Sequence, residues 1–226
     1  EKRGIPVSGR IRVEYERHRD GALLIVTDEA EGMAFDRACQ ILAYGGAHSP
    51  LALGEGTGRG YFGRGLKQAV YGLGHGWIET ICSGQISRID LFRSENGGYL
   101  YDEGGGPREA GEEDRVRLGI PENGSRITIV VENSEATISQ YQSLLQSLGN
   151  NVYLREILGR RLVELVNLRH GAGEAQVERV RYEEPPATLL IGPEQESTFE
   201  HEGTSHAFTL TLKRALGTEL TPRGDE

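Results

Sequence analysis

Apolar and polar side chains alternate strictly near the start of the chain. Ile11, Val13 and Tyr15 occupy one face of this segment, and arginines and glutamates occupy the other. A period of two predicts a β-strand with one buried face. Turn-forming residues at 18–21 and a short apolar run at 22–26 follow. They predict a second strand that pairs with the first in a hairpin.

Two later segments carry apolar residues at positions i, i+3, i+4 and i+7, the spacing of an amphipathic helix. The stripes consist of Phe35, Ala38, Cys39 and Leu42, and of Leu66, Ala69, Val70 and Leu73. Glycines at 45–46 and at 74 predict where these two helices end. Residues 46–62 show no periodicity and are rich in glycine, which predicts a mobile loop.

The remaining pattern predicts an α/β fold in two domains, built as an α+β two-layer sandwich. Residues 103–117 carry many acids and predict an exposed loop, and residues 134–170 show two helical stripes, the second including Leu162 and Leu165. Strands are expected near 77–82, 86–93, 98–102, 126–132, 176–182, 188–191, 197–201 and 207–213. The domains are expected to cover residues 1–133 and 134–226.

Composition excludes several classes of protein. The 226 residues are 37% hydrophobic and 26% charged, which excludes a wholly disordered chain. No run of about 18 apolar residues occurs, so we expect no membrane span. A net charge of −9 argues against a globally basic nucleic-acid binder, and two cysteines are too few for a disulfide framework. The first residues lack a signal-peptide pattern, so we expect a cytoplasmic protein.

The first motif that could carry chemistry is D-E-A-E-G-M, which begins at Asp28 directly after the second predicted strand. A carboxylate at the end of a buried strand costs free energy unless donors reach it, and the exocyclic amine of adenine is such a donor. Guanine would present a carbonyl oxygen instead, a mismatch worth ~1–3 kcal/mol. Gly32 would let a base approach the backbone, and Met33 would offer an adaptable apolar contact. The alternative is that Asp28 caps the next helix.

The second motif is the glycine-rich segment G-R-G-Y-F-G-R-G-L-K at residues 58–67. Glycines let a backbone wrap closely around a polyanion, and the N-terminus of the helix that follows favours phosphate. Lys67 could reach a terminal phosphate from that helix. The segment also contains GxGxxG, the dinucleotide fingerprint, but lacks the apolar strand that should precede it. The alternative is a flexible surface loop with a solvated lysine.

The third motif is G-S-R-I-T-I, in which Gly124 and Ser125 lead into a buried strand. The Ser125 hydroxyl could bond a base, or reach Asp28 through a water molecule. Taken alone, this pattern favours an ordinary turn before a strand.

In their order along the chain, the three motifs resemble the GHKL ATP-binding superfamily: gyrase B subunits, MutL, the ninety-kilodalton heat-shock chaperones, MORC proteins and histidine kinases. The resemblance covers about residues 5–132, and the lid is most similar to that of MORC-type and related bacterial members. It implies a Bergerat-type ATP-binding domain in which Asp28 holds the adenine, Gly32 and Met33 line the base and Ser125 lies at the adenine end. The phosphates would contact Gly60, Tyr61, Phe62, Gly63, Arg64, Gly65, Leu66 and Lys67.

The chain departs from the superfamily pattern in three places. The aspartate box is usually D-x-G-x-G and has Ala30 at its middle glycine, and the later box is usually G-T, where Ser125 keeps the hydroxyl. The superfamily's catalytic helix, which precedes the first strand, carries a glutamate that activates water and an asparagine that binds Mg²⁺. No E-x-x-x-N pattern precedes Ile11. We therefore assign no catalytic residue and no metal ligand in this chain, and expect that helix upstream of it.

Residues 134–220 resemble the transducer domain of gyrase B, MutL and MORC-like members. Such domains place a lysine at the γ-phosphate, a role that would fall to Lys213. The resemblance implies an ATPase with ATP and Mg²⁺ as cofactors, whose lid closes on the nucleotide and drives homodimer closure on a protein partner or on DNA. The alternatives are a histidine-kinase catalytic domain, a non-catalytic assembly module, and a dinucleotide enzyme that uses GxGxxG.

Overall fold

The computed structural model describes residues 9–40, 65–168 and 176–216. These residues form a mixed nine-stranded sheet, a separate two-stranded sheet and five α-helices. The α/β class expected from the sequence is therefore confirmed. Among the described helices, none is both long enough and apolar enough to cross a membrane.

The large sheet contains β1 (Ile11–Arg17), β2 (Ala22–Asp28), β3 (Gly74–Cys82), β4 (Gln85–Arg93), β5 (Tyr99–Asp102), β6 (Arg108–Glu109), β7 (Gly124–Val131), β8 (Val163–Asn167) and β9 (Gln176–Arg179). Their order is β5-β4-β3-β7-β2-β1-β8-β9, and β6 pairs with β4 beside this path. Neighbouring strands are antiparallel, except that β1 and β8 are parallel. The middle of the sheet, where β2, β7 and β3 lie side by side, therefore joins segments that are far apart in the chain.

The helices are α1 (Phe35–Gln40), α2 (Gly65–Leu73), α3 (Glu112–Leu118), α4 (Tyr141–Gly149) and α5 (Arg155–Arg160). Side chains from α1, α2, α4 and α5 share the main apolar core with one face of the sheet. Ala38 and Val70, which belong to the two predicted helical stripes, are fully buried there. Val13 and Tyr15 of the alternating first strand are buried in the same core, as their spacing predicts. Leu42 and the predicted loop at 46–62 lie outside the described residues.

The expectation of an exposed loop over 103–117 is wrong, because this segment contains β6 and α3. Leu118 and Ile120 are fully buried against Ile81 and Ile86, on the face of the sheet opposite the main core. The acidic residues belong to the first turn of α3, where they complement the helix dipole. Asp114 accepts the Gly111 N–H and binds the Arg108 guanidinium through both oxygens, each at 2.6 Å. Asp114 is thus buried and paired in the fold, whereas Glu112 and Glu113 are exposed.

The helical expectation for 134–170 holds for α4 and α5 and is wrong for residues 134–140 before them and for β8 after them. Val163, Leu165 and Val166 belong to β8 and are buried, because β8 pairs with β1 inside the large sheet. Leu158, Leu162 and Leu165 are spaced i, i+4 and i+7, so the start of β8 also fits a helical stripe. The expected domain boundary near 133 stays a prediction, and β8 and β9 extend the same sheet that the first segment builds.

The last two strands form the separate sheet. β10 (Ala187–His201) and β11 (Thr204–Ala215) pair antiparallel around a tight turn at Glu202 and Gly203. The two strands expected at 188–191 and 197–201 are therefore parts of one long strand, with register shifts between Leu189 and Gln195.

Candidate functional site

Three polar side chains lie in a row across the central strands of the large sheet, near the end at which β2 stops. Asp28 on β2 is paired in register with Ser125 on β7, and Ser125 is paired on its other side with Thr80 on β3. Residues paired in this way point to the same face of a sheet, and this face is the one covered by α1 and α2. The sequence predicted that Asp28 and Ser125 act together, and the fold brings them side by side.

The Thr80 hydroxyl connects this row to the segment after β2. It accepts the Met33 N–H at 2.8 Å and donates to the Gly124 carbonyl at 3.1 Å. The Ser125 hydroxyl lies 3.2 Å from the Thr80 hydroxyl, within hydrogen-bonding distance. Thr80 is 1% exposed and holds Met33 beside the row. Sequence reasoning missed Thr80, which lies in a predicted strand with no neighbouring motif.

Gly32 is required by the packing of this segment. Its φ is +68°, in the left-handed region, and a Cβ at this position would overlap the Ile81 carbonyl oxygen. The backbone at 32 therefore lies directly against the end of β3. Met33, which follows, packs against the main core. The structure thus places Asp28, Gly32, Met33 and Ser125 at one end of the sheet.

The Asp28 carboxylate is partly shielded from solvent. Burial raises its pKa above the usual value, and the backbone N–H groups of Ala30 and Ser125 act in the opposite direction. Oδ1 accepts the Ala30 N–H at 3.0 Å in a local turn. Among the described hydrogen bonds the carboxylate accepts no N–H group of α1, and the Ala34 carbonyl accepts those of Arg37 and Ala38. A desolvated acceptor at the end of a strand is typical of a functional position.

The residues expected to contact phosphate are only partly described. Gly60, Tyr61, Phe62, Gly63 and Arg64 lie outside the described residues, whereas Gly65, Leu66 and Lys67 form the first turn of α2. Leu66 packs against the main core, and Lys67 is partly exposed.

The helix α2 joins β3 directly. It ends at Leu73, β3 begins at Gly74, and α2 packs on β3 and β7. Nine residues make a helix ~13 Å long, so its first turn lies at the end farther from Gly74.

Lys213 lies apart from this group. It belongs to β11 in the two-stranded sheet, where its Nζ forms an ion pair with Glu184 Oε1 at 2.6 Å. Its expected role at the γ-phosphate stays a prediction.

On the opposite face of the sheet, Arg126 connects the strands that carry the row. Arg126 follows Ser125 and binds the Thr27 hydroxyl at 3.3 Å, the Leu118 carbonyl at 3.2 Å and the Glu14 carboxylate at 2.7 Å. One guanidinium thus ties β1, β2, β7 and the C-terminus of α3 together. A cavity of about 240 Å³ beside it is lined largely by arginines and glutamates that are already paired. We interpret this network as structural.

Within residues 9–40, 65–168 and 176–216, no three His, Cys, Asp or Glu side chains are grouped in a way that could hold a metal ion. None of these residues is therefore assigned to Mg²⁺. Comparison with protein-family models and with curated proteins finds no match to this chain. The resemblance to the GHKL superfamily remains a hypothesis that depends on the residues themselves.

Proposed function

We propose that the chain is an adenine-nucleotide-binding module of the GHKL type. The observation that supports this most strongly is the row of Asp28, Ser125 and Thr80, which holds Met33 beside it. The Asp28 carboxylate would accept the 6-amino group of adenine, and the Ser125 hydroxyl would face the same edge of the base. Met33 would contact the ring, and the backbone at Gly32 would bring the ring close to the sheet.

The chemistry of Asp28 makes the site selective. Its carboxylate is an acceptor when ionised, so it favours the amino group of adenine and opposes the 6-oxo group of guanine. Loss of one such hydrogen bond in a desolvated site costs ~1–3 kcal/mol. Because the pKa of Asp28 is raised, protonation should weaken binding as the pH falls through that raised value.

The phosphates would lie toward the first turn of α2. Its backbone N–H groups and the Lys67 ammonium carry the charge that a triphosphate needs. The glycine-rich residues 60–64 would wrap the same phosphates and close as a lid, which acts as a switch for a protein partner, for DNA or for a second copy. Hydrolysis with Mg²⁺ is part of the proposal, and none of the residues named here is assigned as its general base or metal ligand.

A cytoplasmic location goes with this proposal. Cys39 and Cys82 are both free thiols in the described fold, as expected for a protein in a reducing compartment.

The test of the adenine site is Asp28→Asn, measured by calorimetric titration with ATP. The amide keeps the shape of the side chain and removes its charge, and it can turn a donor toward the base. We expect the affinity to fall roughly tenfold or more. Asp20→Asn is the matched control, because Asp20 is an exposed acid in the turn at the other end of β2. Equal affinities of the two variants would contradict the assignment.

The test of the phosphate site is Lys67→Ala, measured with ATP and with adenosine. Loss of the ammonium should lower the affinity for ATP and leave the affinity for adenosine nearly unchanged, because adenosine has no phosphate. Equal loss for the two ligands would show that Lys67 acts only on the fold.

A further inference from the structure

Two histidines lie on the same face of the β10–β11 hairpin, beside its turn. His201 is paired with Thr204, and Phe199 is paired with His206. Paired residues share a face of a hairpin, and so do residues two apart on one strand. His201 and His206 are therefore diagonal neighbours across the two strands, and both side chains are exposed to solvent.

The two imidazole rings are close to one another and accessible. Their centres lie 6.4 Å apart, and their planes are inclined by 46°. The His206 ring is also stacked on the Phe199 ring, with a distance of 5.1 Å between centres and an angle of 20° between planes. Stacking covers one flat side of an aromatic ring, and the nitrogens of an imidazole lie at its edge. The His206 nitrogens can therefore contact a ligand while the ring stays on Phe199.

This spacing is close to that of two imidazoles on one metal ion. With metal–nitrogen bonds of about 2.0–2.1 Å and a tetrahedral angle, the two ring centres are roughly 5 Å apart. The rings of His201 and His206 are about 1 Å farther apart than this. Exposed side chains change rotamer within nanoseconds, so a small rotation of either ring closes the difference.

The donors determine which kind of ion fits. Neutral imidazole is a ligand for Zn²⁺, Cu²⁺ and Ni²⁺, whereas Mg²⁺ and Ca²⁺ take oxygen ligands. Within the described part of the chain, no third His, Cys, Asp or Glu joins the pair. We propose that His201 and His206 together bind one first-row transition-metal ion, with water in its remaining positions. This site is independent of nucleotide and of the proposed adenine site.

Calorimetric titration with Cu²⁺, Ni²⁺ and Zn²⁺ at pH 7 tests the pair, in a chain whose competing thiols are removed by Cys39→Ser and Cys82→Ser. A second ligand on the same hairpin acts at a high effective concentration, so His201→Asn and His206→Asn should each weaken binding roughly tenfold or more. Cu²⁺ should bind tightest of the three ions. His18→Asn is the matched control, because His18 is an exposed histidine in another turn, and it should leave the affinity unchanged. Equal affinities of the three variants would mean an adventitious ion only and would overturn the proposal.

Electron paramagnetic resonance counts the ligating nitrogens without relying on a loss of affinity. With one equivalent of Cu²⁺, the chain that keeps both histidines should show hyperfine coupling to two imidazole nitrogens. His201→Asn should reduce this number to one or none. Coupling to fewer than two nitrogens before the substitution, or a spectrum that His201→Asn leaves unchanged, would overturn the proposal. Since neither measurement contains ATP, the result is separate from success or failure of the adenine site.

Discussion

Thr80→Val should destabilise the protein through hydrogen bonds alone. Valine has nearly the same shape as threonine, so the packing of this 1% exposed side chain is kept. The hydroxyl is lost, and with it the acceptor for the Met33 N–H at 2.8 Å and the donor to the Gly124 carbonyl at 3.1 Å. A buried polar group left without a partner costs ~1–3 kcal/mol. We therefore expect the free energy of unfolding to fall by about 2 kcal/mol.

Urea unfolding followed by the fluorescence of Trp77, the one tryptophan of the chain, measures this loss. Trp77 is on β3 itself, where the Arg88 guanidinium lies 4.7 Å from its ring centre. The control is Thr198→Val on the exposed hairpin, which should change the free energy of unfolding by less than about 0.5 kcal/mol. If Thr80→Val changed the free energy of unfolding as little as this control, the role given to the Thr80 hydroxyl would be refuted.

Three further variants test Gly32 beside the row and α3 on the opposite face of the sheet. Gly32→Ala should cost at least ~1–2 kcal/mol of stability, since φ is +68° and its Cβ would overlap the Ile81 carbonyl; thermal unfolding checks this, and an unchanged melting temperature would contradict it. Leu118→Ala should cost ~2–5 kcal/mol in urea, because Leu118 is fully buried between α3 and the sheet; a loss below 1 kcal/mol would mean that α3 is not docked. Asp114→Asn should destabilise at pH 7, because the Arg108 guanidinium holds the pKa of the Asp114 carboxyl well below its usual range. A carboxyl with a lowered pKa stabilises the fold at any pH above the pKa it has in the unfolded chain. The difference in the free energy of unfolding between the variant and the unaltered chain should therefore shrink as the pH falls toward the lowered pKa. A difference that stays constant with pH would refute the ion pair.

Much of the sheet could be predicted because its early strands carry a clear period. The alternation of Ile11, Val13 and Tyr15 predicts a strand with one buried face, whatever the neighbouring strands are. The helix α3 could not be found this way, because its charges are paired with Arg108 and with Glu79 of β3, partners that the sequence does not place. The strand β8 was misassigned because Val163, Leu165 and Val166 are all buried, and only pairing with β1 separates this run from a helix.

The candidate site was predictable where a residue type is unusual for its position. Asp28 at the end of an apolar strand and Gly32 in the next turn are such residues. Thr80 is common in strands, and its place beside Ser125 depends on the register of β3 with β7. Register across strands that are distant in sequence is set by the whole sheet, so no local pattern contains it.

The charge on Asp28 also has a consequence for stability. Its pKa is raised in the fold, chiefly by burial, so the ionised form costs stability once the pH rises through that value. Asp28→Asn should therefore be at least as stable as the unaltered chain at pH 7, although its affinity for ATP is lower. Thermal unfolding of the two proteins checks this, and a large loss of stability would mean that Asp28 serves the fold.

The central claim is that the Asp28 carboxylate accepts the 6-amino group of an adenine base. Calorimetric titration of the unaltered chain with adenosine, purine riboside and guanosine tests it most directly, because the three nucleosides differ at the edge of the base. Adenosine should bind tightest, and each of the others should bind roughly tenfold or more weakly, as expected for loss of one hydrogen bond to a desolvated carboxylate. Equal affinities for the three nucleosides would contradict the claim.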